Sequence, residues 1–451
     1  MSENHRIPPR RSQGAHRAPR GSGGPAGSTG TVSPLEPSAP AGPAAQAQVD
    51  PRLLVREQGF AGYLGEFKRR VRGGELGSLP VVVGLVIIWI IFQSLNSQFL
   101  SPQNLSNLSI DIVATGLISV GIVFVLLLGE IDLAAGAVSG ACAALLAVLY
   151  VNNGWNPIMA IAAAVVAGAV LGLLHGSFFA LIGVPSFVVT LAGLLAWTGL
   201  QLLVLGPNGT INLPDAGLVS RLTSTYFSQV IAAYGLAALA TAGFFIVSYV
   251  GNSRRRAAGI PTRTMGDLLF RTAVLAIVAF GAAFILNKYK GLPLALLIFL
   301  VVVVAADFVQ RRTRYGRSIF AVGGNIEAAR RAGVNVALIR ITVFMISGAM
   351  AAVGGVFAAS RIASASQATG QSNVLLMAIA AAVIGGTSLF GGRGTAFSAL
   401  LGMLVIQSIA SGMALEGVSN SVQFMVTGAV LLAAVVIDSV SRRSQKASGR
   451  A

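Results

Sequence analysis

The side chains best placed to do chemistry are two carboxylates, Glu130 and Asp132, in Gly129-Glu130-Ile131-Asp132-Leu133-Ala134-Ala135-Gly136. They interrupt an apolar stretch from Ile110 to Val151, which as a helix would be about two bilayers long at roughly 1.5 Å per residue. Carboxylates are costly in lipid, so both must lie at a turn near the membrane surface or line a polar cavity. At i and i+2 they do not share a helix face, which argues against a shared proton if the segment stays helical. One reading is a helix break that shapes a pathway or supports a cytoplasmic face. The other is a cap, with Asp132 closing the first turn of the next span, and the two are compatible. A proton-coupled transporter would use the same acids as its relay.

A second glycine-rich interruption is Gly385-Gly386-Thr387-Ser388-Leu389-Phe390-Gly391-Gly392-Arg393-Gly394. Its first and eighth glycines and its fifth-position leucine align with those of Gly129–Gly136. Matched interruptions can mark an internal repeat, but a chain this rich in Gly and Leu also produces them by chance. Val184-Pro185-Ser186 reads as plain helix initiation, with proline in the first turn. His175, beside Gly176 and Ser177 in an apolar segment, reads as a hydrogen-bonded packing residue. No metal-ligand spacing, nucleophile–base set or phosphate-binding Gly–Lys motif occurs. The sequence therefore argues against an enzyme and against ATP hydrolysis by this chain, and it calls for no cofactor.

The third candidate is the stretch Arg311 to Val336, which carries Arg311, Arg312, Arg314, Arg317, Arg330 and Arg331 against the single acid Glu327. Long apolar segments flank it, and the positive-inside rule places such a loop in the cytoplasm. Within it, Asn325 can cap a short helix, Glu327 suits the positive end of its dipole, and Gly333 can end it in a left-handed turn. Ala328 and Ala329 leave a low surface that fits a partner's groove, with Arg330 beside them. An interfacial helix that only holds charge at the headgroups is the competing reading.

These candidates sit on a chain built for lipid. Of 451 residues, 54% are hydrophobic and only 10% charged, against about 25% charged in soluble domains. The net charge of +17 does not indicate nucleic acid: eleven of the 32 basic residues precede residue 77, and most others fall in two loops and the C-terminal end. That distribution sets membrane orientation. The single cysteine, Cys142, rules out an intramolecular disulfide. The first 50 residues contain no apolar core for a secretory signal, so the first hydrophobic segment reads as a retained signal anchor.

A span needs roughly 20 apolar residues. On that ruler the sequence predicts an all-α polytopic bundle of about 12 spans, within a range of 10–12, near residues 80–99, 110–129, 133–151, 158–182, 187–206, 229–250, 271–287, 292–309, 338–359, 374–390, 395–413 and 422–437. Both termini then lie in the cytoplasm, with basic loops at Asn252–Arg263 and Gln310–Val336 on the same side. Residues 1–76 are expected to be a disordered Pro/Gly/Arg-rich cytoplasmic extension with an interfacial helix around Phe60 to Val71. Residues 77–440 would form the transmembrane domain and 441–451 a cytoplasmic tail. Small residues in AAAVVAGAVLGLLHG and MISGAMAAVGGVFAAS predict tight helix packing.

The helix at Asn325–Gly333 resembles the coupling helix of ATP-binding-cassette importer permeases. More specifically, GEIDLAAG, VPSFVVTLAGLLAWTG, RYGRSIFAVGGNIEAARRAGVNV and AAAVIGGTSLFGGRGT are similar to the branched-chain/monosaccharide permease family, in order, from about Leu79 to Asp438. Glu130, and two extra spans around Arg254–Arg256 and Leu286–Pro293, lean toward its xylose-type members. Ala134 and Ala135 depart from the family's usual Ser-Val. The resemblance implies a multi-pass permease of the bacterial cytoplasmic membrane that acts as a pair of copies among membrane lipids. It also implies a cytoplasmic ATPase with two nucleotide-binding domains, which binds the ATP, and an extracytoplasmic sugar-binding protein that delivers a monosaccharide. Nucleic acid has no part. Asn325, Glu327, Ala328, Ala329, Arg330 and Gly333 would meet the ATPase. Glu130, Asp132, Gly136, Gly385, Gly386, Thr387, Ser388, Gly391 and Gly392 are the candidates for the pathway or its helix breaks.

Overall fold

The computed structural model describes residues 79–260, 262 and 264–447. The expectations for residues 1–76, and the end of the tail from 448, lie outside these residues. Four helices open the described chain: α1 (Leu79–Leu95), α2 (Pro102–Leu127), α3 (Ala135–Ala147) and α4 (Pro157–Ser177). A π-helical turn extends α3 over Val148–Asn152 and another extends α4 over Phe178–Ile182. Next come α5 (Ser186–Leu205), β1 (Thr210–Asn212), α6 (Leu218–Ser224), β2 (Tyr226–Phe227), α7 (Val230–Ala257) and α8 (Met265–Asn287). The chain continues through β3 (Leu292–Pro293), α9 (Leu294–Arg312), α10 (Arg314–Gly324), α11 (Ile326–Arg331), α12 (Val336–Ile362) and β4 (Ser364–Ser366). It closes with α13 (Ser372–Ile384), α14 (Phe397–Leu415) and α15 (Asn420–Ala447). Among the described residues only the antiparallel pairs β1–β4 and β2–β3 are not helix or loop. The fold is an all-α polytopic bundle.

Among the described residues, nine helices are long and apolar enough to cross a bilayer, and three shorter apolar ones lie at Leu79–Leu95, Asn373–Ile384 and Asn420–Ala433. Every predicted segment overlaps one of these helices, but several boundaries move. α2 begins at Pro102, where Ser101 accepts the Asn104 N–H, because a serine cap followed by proline starts a helix before its apolar run does. Arg254, Arg255 and Arg256 belong to the last turn of α7 and not to a loop; arginine is a good helix former and favours a helix C-terminus. The segment expected at 374–390 stops at Ile384, since the backbone turns at Gly385 and Gly386. The stretch expected as a tail from 441 continues α15 as helix to Ala447.

The core forms where small residues let backbones approach. α12 packs against α4, α2 and α3. At the α4–α12 crossing, a Cβ on Gly168 or Gly172 would run into the backbone of Gly348 or Phe344. These are the two small-residue segments singled out in the sequence, and they pack on each other. In lipid such close van der Waals contact replaces the hydrophobic drive to associate. α2 is buried on nearly every face, including Ile112, Leu117, Ile122 and Leu126. α7 and α8 instead pack mainly on each other as a hairpin, with a small core of Ala233, Ala237, Ala283 and Leu286.

The alternation of helix directions collects the turns after α2, α4 and α13 at one end, together with α10 and α11. The ladder β1–β4 lies beyond the far ends of α5 and α12.

Candidate coupling site

α11 is a single capped turn and a half. Asn325 Oδ1 accepts the Ala328 N–H at 2.9 Å. At the other end the Gly333 N–H donates to Arg330 O and the Val334 N–H to Ala329 O, with Gly333 at φ +81°. That pair of bonds is the Schellman closure, which needs a left-handed residue and so favours glycine. Ile326 and Val334 pack on the core beside buried Ala329, while Asn325, Glu327, Ala328, Arg330 and Gly333 are exposed. Glu327 and Arg330 pair at 3.1 Å on that outer face. Being exposed, this pair contributes little to stability; its effect is to set a fixed pattern of one acid and one base on a low alanine ridge.

α10 is a helix where the sequence predicts basic loop. Buried Gly316, Ile319 and Val322 recur every third residue, a spacing that marks one helical face. The Tyr315 hydroxyl donates to Thr342 Oγ1 at 2.9 Å and ties α10 to α12. Burial raises the phenol's pKa.

α10 ends on a joint made of backbone. A Cβ on Gly323 would collide with the Leu127 carbonyl at the end of α2. The same carbonyl accepts the Gly392 N–H at 2.9 Å. A Cβ on Gly391 would stand 2.8 Å from Gly323 O and 2.9 Å from Gly129 N. The two glycine-rich interruptions therefore meet, and the helix that leads into α11 rests on both. Side chains of any size would hold these three segments apart.

The remaining candidates divide. In the turn after α13, the Ser388 N–H donates to Arg393 O, and Ser388 Oγ accepts the Phe390 N–H. Thr387 is buried, Gly385 sits against Ser398 at the start of α14, and Gly386 faces open space. Gly136 lies elsewhere, packed against Gly370.

The two acids keep separate partners. Ser186 Oγ donates to Glu130 Oε2 at 2.7 Å, and Arg340 Nη2 stands 3.7 Å from Glu130 Oε1. The Arg340 guanidinium also lies over the Phe179 ring, 4.4 Å from its centroid, a cation–π contact. Asp132 is buried; its Oδ2 accepts from Ser347 Oγ at 2.8 Å and its Oδ1 from the Ala134 N–H at 3.0 Å. Asp132 is not the N-cap, because that position falls to Ala134 and Asp132 closes the turn before it. Pro185, likewise, occupies the cap position of α5 and not its first turn. His175 Nε2 accepts from Trp197 Nε1 at 2.8 Å, so it is a packing residue with a fixed partner. Arg340 and Ser347 are partners that the motifs in the sequence do not mark. A basic residue inside an apolar segment, as in Ala337-Leu338-Ile339-Arg340-Ile341, was the available signal, since it demands a counter-charge.

The family described as branched-chain amino acid transport system / permease component matches residues 104–435. The chain belongs to this family. It is a permease and not an enzyme, and its apolar helices make it a multi-pass inner-membrane protein. The permease is 36% identical over 368 residues to the xylose transport system permease protein XylH of Escherichia coli, covering 80% of this chain and 92% of the relative. It is 34% identical to the XylH of Haemophilus influenzae, over 80% and 96% of the two chains. It is 31% identical to the ribose import permease protein RbsC of Bacillus subtilis, over 83% and 96%. No solved structure matches the permease.

Proposed function

We propose that the permease is the membrane subunit of an ATP-binding-cassette importer that carries a monosaccharide inward, with xylose as its substrate. The observation that carries this reading is α11, a rigidly capped helix that exposes Glu327, Ala328 and Arg330 and follows directly on the glycine joint at Gly323. A cytoplasmic ATPase with two nucleotide-binding domains grips one such helix on each of two permease copies. It binds and hydrolyses the ATP, while an extracytoplasmic binding protein delivers the sugar. The basic end of the bundle then faces the cytoplasm and both termini lie there, as positive-inside charge requires. Twelve spans fit that orientation.

Movement of α11 reaches the bundle by two routes. One is the backbone contact of Gly323 with Leu127 and Gly391. The other is α12, whose Arg340 faces Glu130 in the turn that follows α2. The fixed partners of Glu130 and Asp132 support ATP-driven transport over proton coupling, because neither acid is free to act as a relay. Xylose leads because relatives named for it align at 36% and 34% identity, against 31% for the ribose permease and 29% for an L-arabinose permease.

The test is uptake of labelled xylose, ribose and arabinose in proteoliposomes holding the permease with its ATPase and binding protein. Xylose uptake that requires hydrolysable ATP and persists with an uncoupler is expected. Uptake that collapses with the uncoupler at constant ATP would overturn the mechanism, and a preference for ribose or arabinose would overturn the substrate.

A further inference from the structure

We infer that the cleft between the end of α7 and the start of α8, beside Arg256, is a binding site for the phosphate-bearing headgroup of an anionic phospholipid. Asn287 Nδ2 donates to Val230 O, which fixes one end of the hairpin, so Arg254, Arg255 and Arg256 stand at the other. All three arginines are exposed. Consecutive residues on a helix point about 100° apart, so the guanidinium groups fan around the end of α7. The nearby acid Asp267 is already held by Arg271 at 3.0 Å, which leaves the tip strongly positive.

Beside the arginines a cleft of about 50 Å³ opens between the two helices, lined by Tyr249, Asn252, Ser253, Arg256, Met265 and Leu268. It presents the Tyr249 and Ser253 hydroxyls and the Arg256 guanidinium, whose Nε also donates to Thr262 Oγ1 at 3.4 Å, in a space suited to one tetrahedral anion. The same helices expose Ile246, Val250, Leu269 and Phe270, the apolar wall that an acyl chain needs. Positive-inside topology accounts for the charge. It does not account for a polar cleft between the helices next to that charge, and basic pockets between spans are where acidic headgroups bind. A free anion would use the mouth of the cleft alone, whereas a phospholipid also uses the apolar wall.

The experiment is native mass spectrometry of the full-length permease from mixed phosphatidylcholine–phosphatidylglycerol nanodiscs, with thermal melting to confirm folding. Selective retention of phosphatidylglycerol is expected. Arg256→Gln should weaken it about fivefold, near the contribution of one basic residue at a membrane surface. Ser253→Leu fills the cleft and keeps every charge, and it should weaken retention as well. Arg256→Lys, which preserves orientation charge, should retain more lipid than Arg256→Gln. Wild-type retention by Ser253→Leu would mean diffuse attraction and would overturn the site. Displacement of the lipid by millimolar inorganic phosphate would overturn a lipid as its occupant. None of these readouts uses ATP or sugar, so the result stands apart from the transport reading.

Discussion

Glu130 and Arg340 face each other at 3.7 Å across more than two hundred residues of chain, and each side chain is about one-fifth exposed. One belongs to the turn after α2; the other sits one turn into α12, just beyond the coupling helix. Ser186 at the start of α5 completes the contact. Replacing either charge leaves its partner largely buried and without its counter-charge, which costs roughly 1–3 kcal/mol. Glu130→Gln and Arg340→Gln should each lower ATP-driven uptake at least several-fold while the ATPase stays bound. The exchange Glu130→Arg with Arg340→Glu should recover part of the loss. Recovery is read as uptake per ATP hydrolysed; no recovery at all would remove the pair from the coupling route.

Two adjacent glycines give an internal control. A Cβ at Gly323 has no room against Leu127, whereas one at Gly324 meets nothing within 4 Å. Gly323→Ala should therefore lose most uptake or fold poorly, and Gly324→Ala should stay near wild type apart from about 1 kcal/mol in helix propensity, a change toward stability. Comparable behaviour of the two in uptake and melting would remove the joint from the mechanism.

The coupling helix is tested at its end and on its face. Gly333→Ala forces a side chain into the left-handed region at a cost of roughly 1–2 kcal/mol. It should reduce copurification of the ATPase without changing the amount of folded permease. Glu327→Lys with Gly333→Pro should abolish that association. Undiminished copurification and uptake in the double variant would show that α11 is not the contact.

Asp132 supports the break between α2 and α3. Ser347→Ala removes the side-chain hydroxyl that meets its Oδ2 and should lower thermal stability by about 1–3 kcal/mol. Ser186→Ala, which leaves Glu130 facing Arg340, should cost less. The melting temperatures in one detergent decide the order.

Tyr315→Phe keeps the ring packed on α12 and loses only the bond to Thr342. Its expected cost is about 1 kcal/mol. Because burial holds the phenol's pKa above its ordinary value, the proton stays on through neutral pH. Its stabilisation is present below the unfolded pKa and is lost only as alkaline pH rises through the folded one. Urea midpoints at pH 7 and at pH 9 should therefore show the same difference between wild type and variant.

Features that depend on neighbours along the chain were legible in the amino-acid sequence. Apolar length placed the helices, glycine spacing marked both interruptions, and the cap and stop signals at Asn325 and Gly333 delimited α11, because caps and turns are satisfied within a few residues. The same rule erred where charge was taken for loop: Arg254–Arg256 and α10 are helical, since charge ends the lipid-facing part of a helix without ending the helix. Folding in three dimensions is what brings the two interruptions together, lays Gly323 on Leu127, and sets Glu130 against Arg340 and Asp132 against Ser347. Those contacts join segments far apart in sequence, and each follows from how closely small residues let the backbones approach. No periodicity along a single chain encodes which glycine lies against which.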